Sequence, residues 1–251
     1  MKEIINWDPT VDTYTKEGEI KLHETIHQIK FEKGDFSARN DRLNCIKRAE
    51  KYLKRKIEGK VLDIGCGNGY SSVHLAQTRD IDSIHALECD LPAVDKLIRA
   101  NFESHNIPED KYELVLGSFN DIKNKNYYDF VISLGVIHHS GNLYRTLKSV
   151  YESLKPGGAL IAHEPFMKNS TPNSLYIAKE KRVKNVQGLV EIVEADRDDH
   201  FFRECEYFTA AYHSGFDVYF KKVSGRGDVK NALLVLTKPK DAPEKIPHAW
   251  F

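Results

Sequence analysis

From Lys60 onward the chain alternates short β-branched runs with segments of helical spacing, and this alternation restricts the fold more than any single residue does. KVLDIG (60–65), SIHALE (83–88), YELVLG (112–117), DFVISLG (129–135) and GALIAHE (158–164) read as strands. YSSVHLAQ (70–77), PAVDKLIRANFESH (92–105) and LYRTLKSVYESL (143–154) read as the helices between them. Asn106-Ile107-Pro108 and Lys155-Pro156-Gly157-Gly158 supply helix stops. Strands separated by helices pair in parallel through crossovers, so the expected class is α/β, a doubly wound sheet with helices on both faces. After a helix around Tyr207 to Ser214 come FDVYFKKV (216–223) and NALLVLTK (231–238). Their seven-residue link, SGRGDVK, is too short for a crossover helix, so these two strands pair antiparallel and Arg226-Gly227-Asp228 reads as a turn.

The stretch up to about Glu58 is polar and mostly helical in pattern, with Leu22, Ile26, Ile29 and then Leu43, Ile46, Ala49, Tyr52, Leu53 at helical spacing. Residues 166–200 break the alternation with a helical stretch and the acidic EIVEADRDDH. The expected organisation is a helical cap over 1–58, a core over 59–240 whose 166–200 insert joins the cap as a lid, and a tail over 241–251.

At 251 residues the chain can bury a sizeable core. Lys plus Arg and Asp plus Glu both number 37, a balance that argues against nucleic acid as the main partner, though not against a local basic face. Cys45, Cys66, Cys89 and Cys205 lie far apart with no CxxC pair, which points away from zinc ribbons and disulfide frameworks and toward a reducing cytoplasm. No apolar run has the length of a signal-peptide core or a membrane span, so the expectation is a soluble cytoplasmic protein.

VLDIGCGNGY (61–70) places Gly65, Gly67 and Gly69 directly after the first strand of the core. The spacing is one residue tighter than the dinucleotide fingerprint, and no Lys-Ser/Thr follows to make a phosphate loop. Asp63 at that strand end would repel phosphate and suits a ligand with positive charge. Glu88 closes the second strand about twenty residues on, where a carboxylate can accept both hydrogen bonds of a ribose diol. A nucleoside with a cationic tail and no phosphate describes S-adenosylmethionine.

Over residues 58–165 the chain resembles the class I, Rossmann-like S-adenosylmethionine-dependent methyltransferases. The resemblance rests on VLDIGCGNGY, ALECD (86–90), LVLGSFND (114–121), YYDFVISLGVIHH (127–139) and SLKPGGALIAHEP (153–165), in order and at the family's spacing. It implies a seven-stranded sheet with the last strand inserted antiparallel. It also implies cofactor contacts from Asp63, Gly65, Cys66, Gly67, Glu88, Cys89, Ser118, Phe119 and Leu134. Many relatives carry an aspartate where this chain has Ser118, so the adenine amine falls to Asp121 or to backbone, with Phe119 against the ring. The Asn/Asp-Pro-Pro-Tyr/Phe motif of many amino methyltransferases is absent after the fourth strand.

Methyl transfer from a sulfonium is an in-line displacement, so the protein's task is alignment and exclusion of water. A hydroxyl acceptor must also lose its proton, to a histidine or carboxylate at the C-terminal strand ends. His138 and His139 after the fourth strand and Glu164 at the end of the fifth qualify, as does His200, beside Asp199 in the insert. The oxygen ligands of a hard cation do not cluster there, so no metal is expected. These features point to O-methylation of a small hydroxylated acceptor, a sugar or nucleotide-linked sugar. RNA or protein side-chain methylation, with the basic run from Lys47 to Lys56 as docking surface, is the alternative, as is a non-catalytic cofactor-binding partner.

Three further features have blander readings. HETIH (23–27) matches the HExxH pattern of zinc proteases but has no third ligand at a recognisable spacing, and reads as part of the cap. The basic runs at 47–56 and 179–184 read as solvated faces. Tyr14, Phe31 and Phe36 suit either lid packing or contact with the bound ligands.

Overall fold

The computed structural model describes residues 2–7, 37–172, 183–186, 189–192, 201–225 and 229–241. HETIH, Tyr14, Phe31, Phe36, Asp199, His200 and Arg226-Gly227-Asp228 therefore lie outside the described residues, as does the basic run at 179–184 up to Arg182.

Each crossover segment folds as its pattern predicts. Strand β2 (Glu58–Ile64) leads through the glycine loop into helix α2 (Tyr70–Thr78). Strand β3 (Asp80–Glu88) follows, then helix α3, which opens with a wider π turn over Ala93–Ile98 and continues as α-helix over Arg99–Ser104. Strands β4 (Tyr112–Leu116) and β5 (Tyr128–Leu134) come next, then helix α4 (Leu143–Ser153) and strand β6 (Leu154–Met167). Helix α5 (Glu204–Ser214) and the antiparallel pair β9 (Asp217–Ser224) and β10 (Val229–Thr237) complete the sheet.

The main sheet has eight strands, where seven were expected. The extra one, β1 (Ile4–Asn6), comes from the stretch read as helical and pairs in parallel with β4 at the sheet edge. Ile4 and Ile5 are β-branched, and the Trp7 N–H donates to Leu116 O at 2.8 Å, so local preference and a core contact favour a strand here. The order is β1-β4-β3-β2-β5-β6-β10-β9, with β10 inserted antiparallel between β6 and β9.

Two other segments differ from the pattern reading. The helix before Lys155-Pro156-Gly157-Gly158 does stop, at Ser153, but the tetrapeptide itself lies within β6 rather than in a turn. Gly157 N–H donates to Lys238 O, and Lys238 N–H to Gly158 O, so the chain beyond β10 draws this turn-like tetrapeptide into the sheet. Within the insert, β7 (Val183–Val186) and β8 (Leu189–Ile192) form an antiparallel pair, consistent with their valine, leucine and isoleucine content.

Alternation along the parallel strands divides the core. Leu62, Ile64, Val131 and Leu160 face α4 and α5, meeting Leu147, Val150, Tyr207 and Ala211. Val61, Ile84, Phe130 and Ile161 face the opposite side, where helix α1 (Ser37–Leu53) supplies Leu43, Ile46 and Ala49, and α2 and α3 supply Val73, Leu75, Val94 and Phe102. With β2, β3, β4, β5 and β6 parallel, their C-terminal ends share one edge of the sheet, the edge where such folds bind ligands.

Candidate active site

The glycine loop answers part of its own question. Gly65 has φ +57°, and a Cβ there would sit 2.3 Å from Val136 Cγ1, so the chain after β5 leans directly onto this loop. Gly69 (φ +75°) lies under Ile98 of α3. Two of the three glycines are thus required by neighbouring protein. The Gly67 N–H donates to Glu88 Oε2 at 2.9 Å. Glu88 Oε1 accepts from the Cys89 N–H at 2.8 Å and from the Cys89 thiol at 3.3 Å. One carboxylate thereby ties the first strand's loop to the second strand's end, and remains half-buried at the sheet edge.

Asp63 lies beneath this loop, 1 % exposed, with Oδ2 accepting from Ser71 Oγ at 2.6 Å and Ser72 Oγ at 2.7 Å. Burial pushes its carboxyl up to about 6; the two serine hydrogen bonds oppose that shift and the nearby charge of Glu88 adds to it. Burial likewise raises the Cys66 and Cys89 thiols, each aided by the charge of Glu88. Two acidic groups and no cation on the loop make a poor phosphate cradle. They fit a ligand that brings a positive centre and a sugar diol. Ser118 accepts from the Asn120 N–H at 3.1 Å, Phe119 packs on the core beside it, and Asp121 is exposed and paired with Lys123.

Beyond β5 the chain makes a single 3-10 turn, Ile137–His139, and the device that holds it is Glu164. Ser133 Oγ donates to Glu164 Oε1 at 2.8 Å, as do the N–H groups of Val136 at 3.0 Å and Ile137 at 3.1 Å. His138 contributes its own N–H at 3.3 Å and its Nδ1 at 2.9 Å to Oε2. Glu164 is 0 % exposed. Burial alone would raise its carboxyl, but the hydrogen bond and charge of His138, with the Val136 and Ile137 amides, hold it below the ordinary value. Both oxygens of this candidate base are therefore engaged inside the protein. The His138 side chain is 13 % exposed, and His139, exposed, stacks on it at a tilt with ring centroids 4.1 Å apart. Among the described residues no group of three or more His, Cys, Asp or Glu is placed to hold a metal ion. No described helix is long and apolar enough to cross a membrane.

Of the residues predicted from sequence, Asp63, Gly65, Cys66, Gly67, Glu88 and Cys89 come together at the ends of β2 and β3, and Leu134, His138, His139 and Glu164 at the ends of β5 and β6. Arg42 was not anticipated. Its guanidinium lies over Gly135 and donates to Leu134 O at 3.0 Å, bringing a cation from α1 to the end of β5. In the sequence it is one more basic residue in a basic helix, and only the packing of α1 separates it from the rest.

A doubly wound sheet with an inserted antiparallel strand, an acid-rimmed glycine loop and a second carboxylate closing the next strand defines the class: an S-adenosylmethionine-dependent methyltransferase. The profile of the Methyltransferase domain family matches residues 37–219, and the chain belongs to that family. It is 27 % identical over 101 residues to the malonyl-[acyl-carrier protein] O-methyltransferase of Priestia megaterium (strain DSM 319 / IMG 1521), a match covering 40 % of this chain and 35 % of that one. It is 29 % identical over 131 residues to the tRNA U34 carboxymethyltransferase of Campylobacter fetus subsp. fetus (strain 82-40), covering 49 % of this chain and 43 % of that protein. The matched region thus spans less than half the length of either curated relative. A geranyl diphosphate methyltransferase solved in complex with SAM superposes with a TM-score of 0.62 at 12 % identity, covering 76 % of this chain and 84 % of the other.

Proposed function

We propose that this methyltransferase transfers the methyl group to a hydroxyl oxygen of a small polar acceptor, a sugar or nucleotide-linked sugar, with His138 as general base. Glu88 would hold the ribose diol, Asp63 would stabilise the positive centre through the loop, and Ser118 and Phe119 would flank the adenine. The backbone of Leu134 would meet the amino-acid end of the cofactor. When bound, S-adenosylmethionine supplies an electrophilic methyl on a sulfonium.

The His138–Glu164 pair carries this reading. An ionised, buried carboxylate fixes Nδ1 as the protonated nitrogen and assigns proton exchange to Nε2. His138 then takes the acceptor's hydroxyl proton as oxygen attacks carbon, and Glu164 stabilises the imidazolium that results. Glu164 acts through His138, so its role here is positioning. The O-methyltransferase relative agrees with methylation on oxygen, and the balanced overall charge with an acceptor other than nucleic acid.

The test is incubation of purified protein with the cofactor and a panel of sugars and nucleotide sugars, following S-adenosylhomocysteine release and a methyl-mass gain on oxygen. Methyl on nitrogen or carbon, or turnover confined to RNA, would overturn the proposal. The tRNA-acting relative favours that second reading.

A further inference from the structure

Helix α1 shows its basic character as a surface. Lys47, Arg48 and Lys51 of α1, with Lys54, Arg55 and Lys56 of the segment that follows it, are all exposed. Between Arg42 and Lys56 the only acid is Glu50, which is 5 % exposed and engaged by Arg79 at 2.6 Å. Of the six cations, Lys56 reaches the same Glu50 at 3.6 Å, and Arg55 donates to Gly157 O at 2.5 Å with its guanidinium over the Phe130 ring, which leaves Lys47, Arg48, Lys51 and Lys54 to the outward face. A solvated helix usually interleaves acids at i,i+4 to offset its lysines. This one does not, and it carries a like-charged face that repels itself in the free protein.

The face extends across the sheet edge. Tyr52 is 47 % exposed and stacks on Tyr219 of β9 with centroids 3.8 Å apart and planes 19° from parallel. Lys221 is exposed two residues beyond Tyr219 and so shares its side of the strand. Their register partners, Leu233 and Val235, belong to the core beneath α1, which confirms the side. The apolar residues of α1 are turned inward: Leu43, Ile46 and Ala49 are buried. The outward face therefore offers cations and one aromatic platform, without exposed aliphatic side chains.

We infer that this face of α1, with Tyr52 and Lys221, is a docking surface for a single-stranded nucleic acid. Phosphates meet the cations and a base stacks at the tyrosine pair. An acidic protein would need an apolar centre to its contact, which this face lacks. Cations around an exposed aromatic ring are the pattern that binds single strands with little sequence preference. From Lys47 to Tyr52 the face runs about 8 Å along the helix, and Arg42, about 15 Å along the axis from Tyr52, reaches the end of β5. The inference stands whether or not the bound nucleic acid is the methyl acceptor.

The experiment is fluorescence anisotropy of labelled U12 and dT12 oligonucleotides with the full chain between 50 and 200 mM salt. If about four phosphates are neutralised, log K falls with log salt at a slope near −3, roughly a fifty-fold loss over that range. The triple variant K47Q/R48Q/K51Q is expected to weaken binding at least tenfold and flatten the slope. Tyr52→Ala is expected to weaken binding without changing the slope. Calorimetry with S-adenosylhomocysteine should give the same affinity for all variants, which separates lost docking from lost folding or lost cofactor binding. No anisotropy change at 50 mM salt overturns the inference, as does a triple variant that binds like the parent. Competition by poly-glutamate as effective as by unlabelled U12 overturns it in favour of an acidic protein partner.

Discussion

His138 Nδ1 lies 2.9 Å from an oxygen of Glu164, a carboxylate 0 % exposed that also accepts from three backbone amides of the same turn. The geometry separates the two residues' roles. His138→Ala is expected to lower turnover by about 100-fold or more, the usual contribution of a general base, with cofactor affinity unchanged. Glu164→Gln keeps the shape but removes the charge and gives two donor hydrogens to a site that needs acceptors. It should lower both turnover and thermal stability, and shift the pH–rate profile. Single-turnover rates beside melting curves check this; a Glu164→Gln enzyme with the parent's pH profile would remove Glu164 from the proposed mechanism.

Glu88 joins Gly67 to Cys89. If the same carboxylate also takes the ribose diol, Glu88→Ala should weaken S-adenosylhomocysteine binding by about 1.5–3 kcal/mol, roughly 10- to 150-fold, as expected for hydrogen bonds to a charged group. Isothermal titration measures it. An affinity within twofold of the parent would confine Glu88 to holding the loop.

Asp63, pushed up to about 6, gives a pH dependence with a definite sign. A cation near it binds the ionised form better, so S-adenosylmethionine affinity should rise with pH to about 6 and then level, and do so less for the uncharged thioether product. Asp63→Asn should abolish the difference between the two ligands.

The same group acts on stability in the opposite sense to His85. Because the folded-state value of Asp63 is raised, its contribution is present below about pH 4 and is lost as pH rises through about 6. His85, buried beside the Tyr128 hydroxyl at 2.8 Å, is lowered to about 4 by that burial. Its contribution is present above about 6.5 and is lost as pH falls through about 4. The two slopes oppose each other in the parent. Asp63→Asn should therefore expose a loss of urea stability between pH 7 and 5 that His85→Asn, added to it, removes.

Gly65 and Val136 should be coupled energetically. Gly65→Ala places a Cβ 2.3 Å from Val136 Cγ1 in a left-handed conformation, and overpacking with strain costs about 2–4 kcal/mol. Adding Val136→Ala relieves the overlap but leaves the backbone strain. A double-mutant cycle by chemical denaturation should show the second substitution less harmful in the Gly65→Ala background than alone.

The core was legible because it is built from local signals. Val61 and Leu62 alternate between the two faces, Gly65 stands where the chain must turn, and Glu88 closes the next strand twenty-three residues later. These constraints act within one strand–helix unit, and a sequence displays them in order. Ile4–Asn6 was less legible, since a three-residue edge strand is defined by its partner β4.

The sequence by itself determined that strands and helices alternate, that the first strand ends in an acid and a glycine loop, and that histidines and a glutamate follow the fourth and fifth strands. Tertiary structure alone decided what those residues do to one another. Glu164 lies 26 residues from His138, and only the parallel pairing of β5 with β6 turns a candidate base into the group that orients another. Arg42 is 92 residues from Leu134, and packing of α1 on the sheet sets it at the strand's end. Spacing along a chain encodes periodicity and turns, whereas hydrogen bonds between distant strand ends depend on register, which no local pattern contains.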